Sequence, residues 1–321
     1  MGLLFLYYRS MKEKIGGTGR LIRLLNCLGG KVIDTPIANE YIMKNIGFYI
    51  FQNIVLLLKT IKYIKEITNH NIVIYQPYSL PGSVISLLIK YLQRRIVIVD
   101  DVNFHGLIEP LLLKLFSKFI HVIWTSSLYT VSQFRYYFKA KFHIHYIYTP
   151  ILPKYNFHSI SNKINLILFV GSKSFERYVE IASQICHLAK DLPNFKFVFV
   201  GVASEALRGK CLYRNAVVLG RVPDLMYSQL LKLARYVMVI DDAKYIYPGG
   251  MLIKIIDALE YGAYPIVSWQ FRYSFPFLKT VNSITDIYTL IGNEKSFKPI
   301  EYFIKIFSCN NLYKFVKSPI L

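Results

Sequence analysis

The chain has few acidic residues, few cysteines and no long uninterrupted apolar run. Asp and Glu together number 19 against 39 Lys and Arg, giving a formal net charge of +20 over 321 residues. Such an excess favours an anionic partner: a nucleotide, a nucleic acid or an acidic membrane surface. The basic residues are spread along the sequence, so no nucleic-acid-binding tail is indicated. Charged residues make up only 18% and hydrophobic residues 54%, which excludes a disordered chain and supplies material for large cores. Cys27, Cys186, Cys211 and Cys309 stand apart from one another, and no pair has metal-ligand spacing or suggests a disulfide framework. Cys27 and Cys186 fall in apolar helical patterns and are expected as buried thiols, which points to a reducing, cytoplasmic compartment. Residues 2–8 are apolar but lack a preceding basic segment and a small-residue cleavage site, so they read as a strand and not as a signal peptide. The longest apolar stretch, residues 46–58, contains Gln52 and Asn53 and is too short to cross a bilayer. No transmembrane segment is expected, although a chain with 26 Tyr and 22 Phe among its basic residues suits peripheral contact with an anionic membrane.

What the chain does have is a repeated alternation of apolar strand-like runs and helical patterns. Strands are expected at residues 3–8, 31–33, 72–75, 96–99, 121–124 and 143–148, with helices between them, including a long helical region at about 41–68. Residues 149–161 carry Pro150 and Pro153 and a polar tail, and read as a linker. The alternation then restarts, with strands at 166–170, 196–200, 216–219, 237–240 and 264–268, and helices at 177–192 and 226–233. Residues 300–316 are helical in pattern. Strands separated by helices argue for an α/β fold with parallel sheets, and the length suggests about two domains.

The most informative segment is 236–268, YVMVIDDAKYIYPGGMLIKIIDALEYGAYPIVS. An apolar run ends at Asp241 and Asp242, Gly249–Gly250 opens a helix, Gly262 closes it, and a buried strand follows. The helix is apolar nearly all round except for Lys254, Asp257 and Glu260. That spacing sets the three on one stripe, and charges on a mostly buried helix need partners. One reading brings Lys254 to a phosphate and Asp257 to sugar hydroxyls; the other makes the stripe an ordinary solvated face. Open α/β sheets bind ligands at the carboxyl ends of their strands, and helix N-termini favour anions, so the glycine pair favours the ligand reading.

Between residues 169 and 268 the motifs occur in a characteristic order. Phe169-Val170-Gly171 is followed closely by Lys173 and Arg177, then by Val200-Gly201, then by Leu219-Gly220-Arg221-Val222. Asp257-Ala258 and Gly262-Ala263-Tyr264-Pro265-Ile266-Val267 complete the set. The chain thereby resembles the GT-B glycosyltransferases, in particular the large retaining group 1 family that uses nucleotide-diphosphate sugars. The resemblance implies two Rossmann-like parallel-sheet domains facing each other across a cleft. An acceptor-side domain would span 1–150 and a donor domain 151–299, with a C-terminal helix at 300–321 packing back toward the first. It implies that Gly171, Lys173 and Arg177 approach the diphosphate, and that Gly220, Arg221 and Val222 present backbone to the nucleobase. Gly249 and Gly250 would offer N–H groups to the phosphates beside Lys254, and Asp257 would bind the ribose. Gly17, in the loop Gly16-Gly17-Thr18-Gly19, would face the donor from the other domain. The sequence departs from the family pattern at two places: Asp257 stands for the second of a pair of glutamates eight positions apart, and Gly249 stands for the first.

The chemistry follows from these residues. Transfer from a nucleotide sugar develops negative charge on the leaving diphosphate, which Lys173, Arg177 and Lys254 can stabilise. Asp100, Asp101 and His105 follow a strand end and are expected to face the cleft; histidine is the side chain suited to proton transfer near neutral pH, so His105 can position an acceptor hydroxyl as a base, with Asp101 beside it. Neither Asp100–Asp101 nor Asp241–Asp242 forms the Asp-x-Asp pattern of metal-dependent transferases, so no obligatory metal is expected. The expected donor is a UDP- or GDP-sugar, and the expected acceptor a glycan, lipid or protein-linked hydroxyl. Two other readings stay open: a sugar-nucleotide epimerase, and a degenerate module binding nucleic acid or membrane without catalysis.

Overall fold

The computed structural model describes residues 3–7, 17–34, 58, 61–75, 96–100, 120–138, 143–154, 163–171, 176–240, 253–273, 275–292 and 300–317. The chain divides into two units, Met1–Thr149 and Pro150–Leu321.

The first unit is built on six described strands: β1 (Leu3–Tyr7), β2 (Lys31–Asp34), β3 (Ile72–Tyr75), β4 (Ile96–Val99), β5 (Val122–Thr125) and β6 (His143–Tyr146). They lie in the order β2-β1-β3-β4-β5-β6, and every pairing is parallel. The short apolar runs LLFLY, IVIY and IVIV carry no polar alternation because both faces of a parallel sheet are covered. Leu4, Phe5, Ile74, Ile98 and Ile123 are accordingly buried. Helix α1 (Gly17–Leu28) turns its buried Leu21 and Leu24 inward. It ends where Gly29, at φ 69°, donates its N–H to the Leu25 carbonyl at 2.8 Å, a left-handed cap that glycine adopts without strain. Helices α2 (Ile64–Thr68) and α3 (Leu128–Phe138) complete the regular elements of this unit among the described residues.

Asp100, expected to face a cleft, follows β4 and is not open to a ligand. It is buried, and the Arg20 guanidinium grips it from α1 with Nη2 at 2.7 Å from Oδ1 and Nε at 3.1 Å from Oδ2. The same guanidinium donates from Nη1 to the Thr149 hydroxyl at 3.0 Å. A buried pair with this forked geometry survives because nearly every polar atom finds a partner.

The second unit repeats the plan with β7 (Ile164–Val170), β8 (Lys196–Val200), β9 (Ala216–Gly220), β10 (Ala234–Val239), β11 (Tyr264–Ser268) and β12 (Thr280–Val281). Their order is β12-β11-β10-β7-β8-β9, again parallel throughout. Helices α4 (Glu176–Asp191), α5 (Val202–Glu205), α6 (Asp224–Leu233), α7 (Ile253–Glu260) and α8 (Asp286–Gly292) connect or follow the strands. Phe169, Phe197, Phe199, Tyr236 and Tyr264 fill the core. Lys163 donates to the carbonyls of Leu231, Lys232 and Tyr261 at 3.0, 3.0 and 2.6 Å, capping the ends of α6 and α7 with one ammonium. Burial pushes its pKa down to about 8, and the three carbonyls act in the opposite sense by favouring the charged form.

Three sequence expectations change. The stretch expected as a single final helix is two: α9 (Ile300–Ile306) and α10 (Cys309–Lys317). They break at Phe307 and Ser308, where the Ser308 hydroxyl accepts the Asn311 N–H at 3.4 Å and the Asn311 side chain caps the Lys305 carbonyl at 2.8 Å. No cysteine is a free thiol, and Cys186 on α4 is disulfide-bonded to Cys211 with a Cα–Cα distance of 6.0 Å. The expectation of isolated thiols, and the inference of a reducing compartment that rested on it, therefore fails; spacing in sequence hid a contact made in space. The third change concerns the linker. Residues 150–154 are held by hydrogen bonds within the second unit, with the Ile151 N–H on the Phe307 carbonyl at 2.9 Å. Among the described residues no helix is long and apolar enough to cross a membrane.

Candidate functional site

The strand order of the second unit reverses direction at β7: β8 and β9 lie on one side of it, β10 and β11 on the other. Ligands of open α/β sheets bind at such a switch point, outside the carboxyl ends of the strands. Three glycines stand there in a row. Gly171 follows β7, Gly201 follows β8 and Gly220 ends β9. Their backbones are linked directly, Gly171 N–H to the Val200 carbonyl at 2.9 Å and Gly201 N–H to the Gly220 carbonyl at 2.7 Å.

Each of the three is small for a geometric reason. A Cβ on Gly171 would stand 2.7 Å from the Ala203 Cβ, and one on Gly220 would stand 2.9 Å from the Glu205 Cγ. Gly201 is the most constrained: its φ is +96°, and a Cβ would fall 2.1 Å from the Gly171 carbonyl oxygen. The result is a corner where three strand ends pack backbone to backbone, with the Gly171 and Gly201 N–H groups already donating to neighbouring carbonyls.

Helix α7 brings charge to this corner. Lys254, in its first turn, crosses to β7 and donates to the Val170 carbonyl at 2.7 Å, next to Gly171. Asp257 lies one turn further along and is half-buried. Lys254 and Asp257 are thus carried by one helix, with Lys254 at the end of β7. Glu260 is not part of a solvated face: it is fully buried and accepts the Leu152 N–H at 3.1 Å.

On the β9 side, α5 supplies a residue that sequence reasoning missed. Glu205 accepts the Arg221 N–H at 3.3 Å and lies 3.9 Å from the Arg221 guanidinium, so it holds the turn after Gly220 in place. Arg221 extends into solvent and Val222 is half-buried. No motif marks Glu205 in the sequence; its role depends on the Gly201 turn that starts α5.

Gly171, Gly220 and Lys254 therefore stand at the carboxyl ends of strands of one sheet, with Arg221 and Val222 in the turn after β9 and Asp257 one helical turn along α7 from Lys254. Arg177 falls in the first turn of α4, and Gly17 is the first residue of α1 in the other unit. Asp101, His105, Lys173, Gly249 and Gly250 lie outside the described residues. Among the described residues, no group of three or more His, Cys, Asp or Glu side chains is arranged to hold a metal ion.

No protein-family model matches the sequence, and no curated protein matches it. Solved structures do. HepE from Anabaena, crystallised with UDP and glucose, aligns with a TM-score of 0.63 at 11% identity over 100% of this chain and 99% of that one. The lipopolysaccharide outer core galactosyltransferase WaaB, in its apo form, aligns with a TM-score of 0.66 at 13% identity over 100% and 99%. A Listeria monocytogenes protein assigned provisionally as a UDP-N-acetylglucosamine 2-epimerase aligns with a TM-score of 0.61 at 10% identity over 99% and 95%. The chain has the GT-B fold. In GT-B terms, the glycine corner and α7 belong to the second of its two parallel-sheet units, the half that the sequence resemblance assigns to the nucleotide sugar.

Proposed function

We propose that this chain is a glycosyltransferase that moves a sugar from a nucleotide-diphosphate donor to a hydroxyl acceptor, with retention of configuration. The observation that carries the reading is the glycine corner at the ends of β7, β8 and β9, with the Lys254 ammonium fixed beside it. A leaving diphosphate needs a cation at the carboxyl ends of the strands, and Lys254 stands there. Asp257, one turn along α7, is suited to accept hydrogen bonds from ribose hydroxyls. Lys173 and Arg177 would add positive charge as the leaving group departs, and His105 with Asp101 would position the acceptor from the first domain. Gly17, Gly249 and Gly250 would contribute backbone N–H groups, and Gly220–Val222 the base-side wall.

The preferred donor is a UDP-sugar, a choice supported by HepE, crystallised with UDP and glucose, with a GDP-sugar as the other candidate. The acceptor is a glycan, a lipid or a protein-linked hydroxyl, and the reaction proceeds without an obligatory metal. The +20 charge supports peripheral contact with anionic lipid at a membrane surface. Nucleic acid is not the partner in this reading, because the basic residues form no block.

A donor-hydrolysis screen tests the proposal. UDP-, GDP-, ADP- and dTDP-sugars are incubated with the protein, with and without EDTA, and released nucleotide is measured. Release from one donor class, together with a rise in Tm on adding the matching nucleoside diphosphate, is expected. A full panel giving neither release nor a Tm shift sinks the proposal. The second reading, a sugar-nucleotide epimerase, is favoured by the fold likeness to the Listeria protein. It yields an epimerised product without an acceptor, so product analysis separates the two.

A further inference from the structure

Glu260 is a charge in an unusual place. It is the last residue of α7 and is fully buried, yet a helix C-terminus repels a carboxylate and burial of a charge is costly unless every oxygen is used. Here each oxygen is used, and each meets the same five-residue segment, 150–154. Oε1 accepts the Leu152 N–H at 3.1 Å, Oε2 meets the Lys154 ammonium at 3.2 Å, and the main-chain carbonyl of Glu260 accepts the Lys154 N–H at 3.1 Å. Lys154 also lies over the Tyr261 ring at 5.4 Å. A fourth bond, from the Ile151 N–H to the Phe307 carbonyl, fixes the start of the segment.

That segment begins at the boundary between the two units, Thr149–Pro150. On its other side Thr149 is buried and held by Arg20, the residue that also grips Asp100.

We infer that Glu260 is a positioning residue for the donor site: it locks residues 150–154, a strap of the second unit, to α7, so that the strap sets where α7 presents Lys254 and Asp257. The inference rests on the donor-site reading of those two residues. Glu260 touches neither the glycine corner nor, in that reading, the donor; it acts through the helix that carries the donor-facing charges. A role in stability alone would lower Tm and leave nucleotide affinity untouched well below Tm.

The test compares the full-length protein with Glu260→Gln, Glu260→Ala and Lys154→Met, titrating UDP and GDP by calorimetry and following amide exchange of Leu152 and Lys154. Lys154→Met changes a side chain that is 47% exposed, so it provides a variant that folds even if Glu260→Ala does not. Nucleotide affinity is expected to fall on the order of tenfold in Glu260→Ala, the scale of an ordinary coupling between two sites. A smaller fall is expected in Glu260→Gln, which keeps an acceptor for Leu152, and in Lys154→Met, which keeps the carboxylate. Wild-type affinity in all three, with exchange at Leu152 and Lys154 accelerated, overturns this inference alone. Failure of the wild-type protein to bind either nucleotide overturns the donor-site reading and this inference with it.

Discussion

The close approach of Gly201 to Gly171 makes Gly201→Ala the sharpest probe of the candidate site. Two independent costs add at this position. The backbone sits at φ 96° and ψ 176°, a conformation that is essentially restricted to glycine. Holding another residue there costs about 1–3 kcal/mol. The new Cβ would then meet the Gly171 carbonyl oxygen at 2.1 Å and its carbon at 2.8 Å. These are backbone atoms at the end of β7 and cannot rotate away, so the overlap is relieved only by parting β7 from β8, at a further cost of about 1–3 kcal/mol. The middle of the combined range, about 4 kcal/mol, corresponds to a Tm lower by about 8–16 °C for a unit of this length. Gly209→Ala is the internal control. It too has a positive φ, 74°, but nothing lies within 4 Å of its added Cβ. It should lose only the backbone penalty, about 1–2 kcal/mol. Thermal denaturation followed by circular dichroism on the two variants and the wild type gives the answer. Equal losses at the two positions would show that the β7 and β8 ends are not packed backbone to backbone, and the glycine corner would go with them.

Other perturbations reach other parts of the same argument. Lys254→Met removes the only ammonium that α7 contributes to the corner and should weaken UDP binding about tenfold, the value of one charge-assisted hydrogen bond; calorimetry reads it. Lys163→Met leaves three carbonyls at the ends of α6 and α7 without their shared donor and should destabilise the protein by about 2–3 kcal/mol in urea unfolding. Asp286 accepts the N–H groups of Asn282 and Ser283, which hold its carboxyl below the usual carboxylate value. Its contribution is therefore present above the unfolded-state pKa and lost as pH falls through the lower folded value, and Asp286→Asn should flatten that part of an acid-unfolding profile. Cys186–Cys211 closes a separation of 25 residues, worth about 3.5 kcal/mol by loop entropy. Non-reducing peptide mapping should find the two linked, and reductant should lower Tm by more in the wild type than in Cys186→Ser.

Much of this protein could be read from its sequence. The strands β3, β4, β8 and β11 fall where short apolar runs bounded by turn residues placed them, because a buried parallel strand leaves no room for polar alternation. The parallel arrangement followed from the helices between them. Glycines at the ends of three strands marked the corner where backbones meet, and Lys254 and Asp257 were legible as charges on an otherwise apolar helix. The short elements were less visible. Helix α5 has four residues and β12 has two, too few for any period to register, and Glu205 had no signal of its own.

Sequence alone determined which residues are apolar, where the chain must turn, and which side of a helix a charge occupies. It left open what packs against that side. Lys254, Asp257 and Glu260 share one spacing, yet the first reaches a strand carbonyl at the glycine corner and the last is buried against the strap of residues 150–154. Asp100 belongs to a strand-end pair that read as a site, and Arg20, eighty positions away, buries it. Cys186 and Cys211 looked isolated because 25 residues separate them along the chain while 6.0 Å separate their Cα atoms. Helix and strand periods are local properties and can be read locally. Partners of buried charges and thiols are chosen by elements distant in sequence, and only the folded chain brings them together.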